Sequence, residues 1–171
     1  GGTVTLGAEQ LARAAEILDF RQSGGKRERG RLAITAAKAV TVDGKLAEAD
    51  WTRAAEAVLT ETNTGNPVPF KSTVKVLWDD VYLYVAFTFE DPDAWATITT
   101  EDGALWGEEV AEVFIDPENR GHSYYEHEVN PVNQKVDLFV LNRGQKYNGQ
   151  YKGWIDWDFT AKTLKQGVFV D

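Results

Sequence analysis

At 171 residues and 19.0 kDa, with 43% apolar and 26% charged residues, the chain is long enough for one domain with a real core and too apolar to stay unfolded. It contains no Cys and no Met, which removes disulfides, thiolate nucleophiles, Cys-held zinc or iron–sulfur centres, and Met as a haem or copper ligand. The net charge of −9 is uneven: residues 1–40 carry seven Lys/Arg against four Asp/Glu and the rest 11 against 23, so the body repels nucleic acid and anionic lipid.

The chain opens Gly-Gly with neither an initiator Met nor a signal-peptide pattern, as expected of a processed or trimmed chain. No apolar run approaches the roughly 18 residues of a membrane span, so no transmembrane segment is expected. Residues 8–20 read as a short amphipathic helix, with Leu11, Ala14, Ala15 and Leu18 at helical spacing. A Gly-rich, charged linker follows over 22–30, and the basic run Lys26-Arg27-Glu28-Arg29-Gly30-Arg31 reads as a solvated part of it. The expected organisation is therefore a helical arm with a basic linker over 1–31 and a globular domain over 32–171.

The globular part is written in β-strand language. A turn at 42–45 leads into an expected helical insertion at 46–55. Residues 73–78 alternate with Val74, Val76 and Trp78 on one face. Residues 82–90 place Leu83, Val85, Phe87 and Phe89 on one face and Tyr82, Tyr84 and Ala86 on the other. Asp79-Asp80 joins these two as a hairpin. Further strands are expected at 110–115, 124–130, 136–141 and 168–170. Short strands separated by Asn, Asp, Gly and Pro indicate an antiparallel β-sandwich or barrel rather than βαβ units.

Glu126 and Glu128 share a strand face about 6.8 Å apart by rise, inside the separation of an inverting glycosidase pair. The alternation reads as a solvent face, however, and nothing marks either residue as the desolvated acid such a pair needs. His122 and His127 are five apart across a loop-to-strand boundary, which is not the spacing of a helical metal pair; His127, with Tyr125 and Val129, reads as packed. Asp79, Asp80, Asp91 and Asp93 close successive loops. They read as solvated turn residues, with structural Ca²⁺ as the alternative, since calcium takes loop carboxylates and carbonyls and no EF-hand pattern is present. Trp106, in Gly103-Ala-Leu-Trp-Gly-Glu-Glu, is either a sugar-stacking platform or a half-buried packing residue. No Gly-rich phosphate loop and no nucleophile elbow occurs, so the residues read as a non-enzymatic β-sandwich.

The order of motifs carries a resemblance. Val42-Asp-Gly-Lys-Leu-Ala-Glu-Ala-Asp-Trp51, Val74-Lys-Val-Leu-Trp-Asp-Asp-Val-Tyr-Leu-Tyr-Val-Ala-Phe, Glu90-Asp-Pro, Leu105-Trp, Val110-Ala-Glu-Val-Phe-Ile-Asp-Pro117 and Tyr124-Tyr-Glu-His-Glu-Val-Asn-Pro131 follow one another as in family-9 carbohydrate-binding modules. The resemblance covers about residues 39–171 and lacks the family's C-terminal third, so a longer native chain or a completing partner is expected. It implies an all-β, jelly-roll-like antiparallel sandwich, extracytoplasmic (periplasmic or secreted), with structural calcium in some members. It also implies recognition of a glycan chain end between Trp walls, with Trp106 as the first wall and Glu112 and Asn130 as polar contacts. Glu128 stands where some members have Arg, which reverses a charge in the implied site. Two alternatives follow from the same superfamily. One is an accessory subunit docked on a larger extracytoplasmic or membrane-associated redox or photosynthetic complex. The other is a DOMON-type haem domain, which without Met would need His122 or His127 as axial ligand.

Overall fold

The computed structural model describes residues 40–119, 122–141 and 164–170, residues 159 and 161, and six short strand segments. The chain is all-β, and it divides into two compact units, one within Val4–Asp93 and the other within Ala94–Asp171. In the first unit, β1 (Asp19–Arg21) pairs antiparallel with β2 (Arg27–Arg29). The end of the expected helix and the basic stretch of the expected linker are thus a small hairpin, while residues 8–18 lie outside the described residues.

The main sheet of this unit is organised by β5 (Ser72–Trp78). On one edge β6 (Leu83–Phe89) runs antiparallel along its whole length, with Val76 opposite Val85 and Leu77 opposite Tyr84. The other edge is shared by β4 (Glu56–Val58), antiparallel beside Thr73–Lys75, and β3 (Ala33–Thr35), parallel beside Val76–Trp78. The parallel pairing departs from the all-antiparallel expectation.

Both faces of β5 are covered. Leu77 and Tyr84 pack with Trp51 and Ala54, and Val76 packs on the other face with Ala57, Trp78, Leu83 and Val85. Two-sided cover is what a continuous Val-Lys-Val-Leu-Trp run expresses, and it relaxes the simple alternation expected of these strands.

The expected helix over 46–55 is only a 3-10 turn, Ala49–Thr52. Its purpose is to seat Trp51, which is 3% exposed. Glu48 accepts from the Trp51 indole Nε1 at 3.2 Å and from the Thr41 amide at 2.9 Å, so one carboxylate fixes both ends of the Asp-Gly-Lys segment. Gly44 supplies the left-handed backbone of that turn at φ 79. The Thr41 amide, first among several donors, holds the Glu48 carboxyl below its ordinary range.

The second unit carries a four-stranded antiparallel sheet in the order β12-β9-β8-β7: β7 (Ala111–Ile115), β8 (Tyr124–Val129), β9 (Lys135–Leu141) and β12 (Trp154–Asp156). A two-residue pair, β10 (Lys146–Tyr147) with β11 (Gln150–Tyr151), lies between β9 and β12 in sequence. Residues 168–170, expected as a strand, form none. Cross-strand partners put Val136, Leu138 and Val140 of β9 on one face with Glu128, Glu126 and Tyr124 of β8. Leu105 packs on the β9 residues of this face, and all four apolar side chains are at most 2% exposed. The opposite face holds Tyr125, Phe139 and Phe159, whose ring centroids lie 5.0 to 6.5 Å apart.

Candidate functional site

The period of a strand puts Glu126 and Glu128 on the same face. That face is not a solvent face: Glu128 is fully buried, Glu126 is half-buried, and their β9 partners are Val136 and Leu138. The expectation of a solvated Glu pair therefore fails, because alternation along β8 matches the core alternation of β9. Glu112 of β7 stands directly opposite Glu128 and is exposed. One carboxylate oxygen from each of Glu112, Glu126 and Glu128 lies within 4.8 Å of the other two. Among the described residues no N–H or hydroxyl donor reaches either oxygen of Glu128, whose hydrogen-bonding neighbours are the carboxyls of Glu126 and Glu112. Burial, and then the neighbouring charges of Glu112 and Glu126, push the Glu128 carboxyl up to about 7.

Trp106 lies in a second 3-10 turn, Leu105–Gly107, that rests against β8. Leu105 turns inward and is 0% exposed, while Trp106 turns outward and is 53% exposed. The turn is anchored from both sides. A Cβ on Gly103 would meet the Ile98 side chain at 2.5 Å, so the chain before the turn sits too close to its neighbour for any side chain. After it, Glu108 accepts from the amides of Thr97 at 2.8 Å and Ile98 at 3.2 Å and from the Thr97 hydroxyl, and Glu109 accepts from the Trp95 amide at 2.9 Å. The Thr97 donors, side chain first and then backbone, hold Glu108 below the ordinary carboxylate range. The Gly-Glu-Glu that follows Trp106 is thus a clasp on residues 95–98, and Trp95 on that segment is itself 46% exposed.

Asn130 is 1% exposed and fully engaged by the chain. Its Nδ2 donates to the Ile98 carbonyl at 2.8 Å, and its Oδ1 accepts from the Gln134 amide at 2.8 Å. The β8–β9 turn closes through Asn133, left-handed at φ 62, whose amide donates to the Asn130 carbonyl. Asn130 therefore ties that turn to the segment clasped by Glu108. Trp106 and Glu112 present exposed surface, whereas Glu128 and Asn130 lie beneath it.

The loop carboxylates serve turns. Asp79 Oδ1 accepts from the amides of Val81 and Tyr82, and its Oδ2 from the Tyr84 hydroxyl at 2.6 Å. Burial pushes this carboxyl up, but those donors hold it below its ordinary value. Burial, aided by the same bond, pushes the Tyr84 phenol up to about 12. Asp91 accepts from the Asp93 amide, and Asp80 is exposed. Among the described residues, these four Asp do not meet as a three-ligand group, and the three glutamates do. His122 Nδ1 lies 3.0 Å from the Ser123 hydroxyl; His127 Nδ1 donates to the Val136 carbonyl at 3.1 Å, and burial lowers the His127 pKa. His127 is packed on the sheet, as expected from its alternation. The roles of Leu105, Glu108 and Glu109 have no sequence signal beyond their place beside Trp106, and that of Trp95, eleven residues earlier, has none.

Comparison with known proteins matches residues 42–160 to the family described as carbohydrate family 9 binding domain-like. A stretch of 53 residues, 31% of this chain, is 38% identical to part of Endo-1,4-beta-xylanase A of Thermotoga maritima (strain ATCC 43589 / DSM 3109 / JCM 10099 / NBRC 100826 / MSB8). That stretch is 5% of the xylanase. No solved structure matches the chain.

Proposed function

The chain belongs to the carbohydrate family 9 binding domain-like family, of non-catalytic carbohydrate-binding modules, and we propose that it recognises the end of a glycan chain by stacking on Trp106. The observation that carries this reading is the pairing of a fully buried Leu105 with a half-exposed Trp106 on one short, doubly anchored turn. A flat aromatic face held rigidly loses little entropy when a sugar's C–H face covers it. Glu112, exposed on the strand that follows, supplies acceptors for sugar hydroxyls. Asn130 and Glu128 act from beneath, the first by fixing the turn next to residues 95–98 and the second as the cross-strand partner of Glu112.

The name of the matched xylanase favours β-1,4-xylan over other glycans, and the family favours a secreted protein. Among the described residues no helix is long and apolar enough to cross a membrane. The test is depletion of the protein from solution by insoluble xylan and by cellulose. Depletion by xylan that soluble xylo-oligosaccharides reverse supports the reading; retention of all protein in solution with both polysaccharides refutes it.

A further inference from the structure

We propose that Glu112, Glu126 and Glu128 form a calcium-binding site on the β7–β8 pair of the second unit. Three features carry this assignment. The first is geometry: with one oxygen of each residue within 4.8 Å of the others, a point exists no more than about 2.8 Å from all three, close to the roughly 2.3–2.6 Å of calcium–oxygen contacts. The second is the state of Glu128, which is 0% exposed and, among the described residues, has neither oxygen met by an N–H or hydroxyl donor. A carboxylate in that position is costly unless a cation or a proton compensates it, and the two carboxyls that act on it, Glu112 and Glu126, have its own sign. The third is the donor set. It holds oxygen alone, without His or Cys, which suits a hard cation and not zinc or copper.

Calcium fits better than magnesium. Strand partners and next-but-one neighbours fix the three Cα positions in the sheet, so the carboxylates cannot rearrange freely into a small, regular octahedron. Calcium accepts six to eight oxygens in irregular geometry, some from bidentate carboxylates and some from water. Glu112 is exposed, so the ion would have a solvent side through which it enters and through which water completes its coordination.

The site is distinct from the loop aspartates Asp79, Asp80, Asp91 and Asp93. It shares Glu112 with the proposed glycan contact, but it needs no bound glycan, so the two readings can fail separately. The test therefore contains no sugar. Protein stripped with EDTA and exchanged into chelator-free buffer is titrated calorimetrically with CaCl₂ and, separately, with MgCl₂. Thermal unfolding is followed with and without calcium. Wild type should bind calcium more tightly than magnesium and unfold at a higher temperature in its presence. Glu128→Gln and Glu112→Gln should each weaken the calcium isotherm by about tenfold or more, and the midpoint of Glu128→Gln should not respond to calcium. Glu112 is exposed, so its variant decides the matter if Glu128→Gln fails to fold. Absence of calcium binding to wild type up to about 10 mM, weaker than any calcium site of functional affinity, overturns the proposal. So does calcium binding unchanged in both variants, or magnesium binding as tight as calcium.

Discussion

Glu112 of β7 and Glu128 of β8 are direct partners across the strand pair, and their surroundings are opposite. Glu112 is exposed, whereas Glu128 has no exposed surface and sits beside Val136 of β9. Like charges placed directly opposite repel, and one of these two cannot relieve the repulsion by turning into water. In EDTA at about pH 8, Glu128→Gln should raise stability by roughly 1–3 kcal/mol, because its amide can donate to both neighbouring carboxylates. Urea unfolding measures this. A lower midpoint for the variant would show that Glu128 is compensated by something other than a cation.

Asn130 joins two loops with one side chain. Asn130→Ala removes the bonds to the Ile98 carbonyl and the Gln134 amide and leaves buried polar groups behind, so it should cost about 2–3 kcal/mol. Asn130→Asp keeps the acceptor for Gln134 but sets an oxygen against the Ile98 carbonyl, and it should also destabilise. Chemical denaturation of both variants checks this. Wild-type stability in either would mean that Asn130 does not hold the turn.

The glycines flanking Trp106 should respond differently. Gly103→Ala forces a Cβ into the Ile98 side chain and should cost about 1–3 kcal/mol, whereas a Cβ on Gly107 meets nothing within 4 Å. Thermal melts of the two variants decide it. Equal effects would contradict the close approach at Gly103.

Acid should release the clasp on residues 95–98. The Glu108 pKa is depressed in the folded chain, so its contribution is complete above the ordinary value of 4.5 and is lost as pH falls through the lower, folded value. Amide exchange of Thr97 and Ile98, corrected for intrinsic rates, should therefore lose protection in that acid range. Glu108→Gln should already show the loss at neutral pH. Protection of these amides that is unaltered by acid or by the variant would contradict the clasp.

Much of this architecture is legible in the sequence, and the failures share a cause. Strands β5 to β9 announce themselves through alternation and β-branched or aromatic residues, and Asp79-Asp80 announces the hairpin. The 46–55 segment has helical composition, but its length is used to bury Trp51 and satisfy Glu48, and tertiary contact overrides propensity there. At 168–170 a Val-Phe-Val run has strand composition but forms no strand. Around the site, Trp106 and Glu112 could be singled out from the order of motifs. The burial of Glu128 could not, because periodicity gives two faces and does not say which is solvated. The Asn130 and Glu108 bonds reach 32 and 11 residues along the chain, a distance no local pattern encodes.

Whether Trp106 carries glycan binding is decided by calorimetric titration of wild type and Trp106→Ala with xylo- and cello-oligosaccharides. Trp106 is half-exposed, so its loss should leave thermal stability nearly unchanged and isolate the binding effect. Wild type should bind measurably, and Trp106→Ala at least about tenfold more weakly. Wild-type protein that binds neither series, or a variant that binds as tightly as wild type, would contradict it.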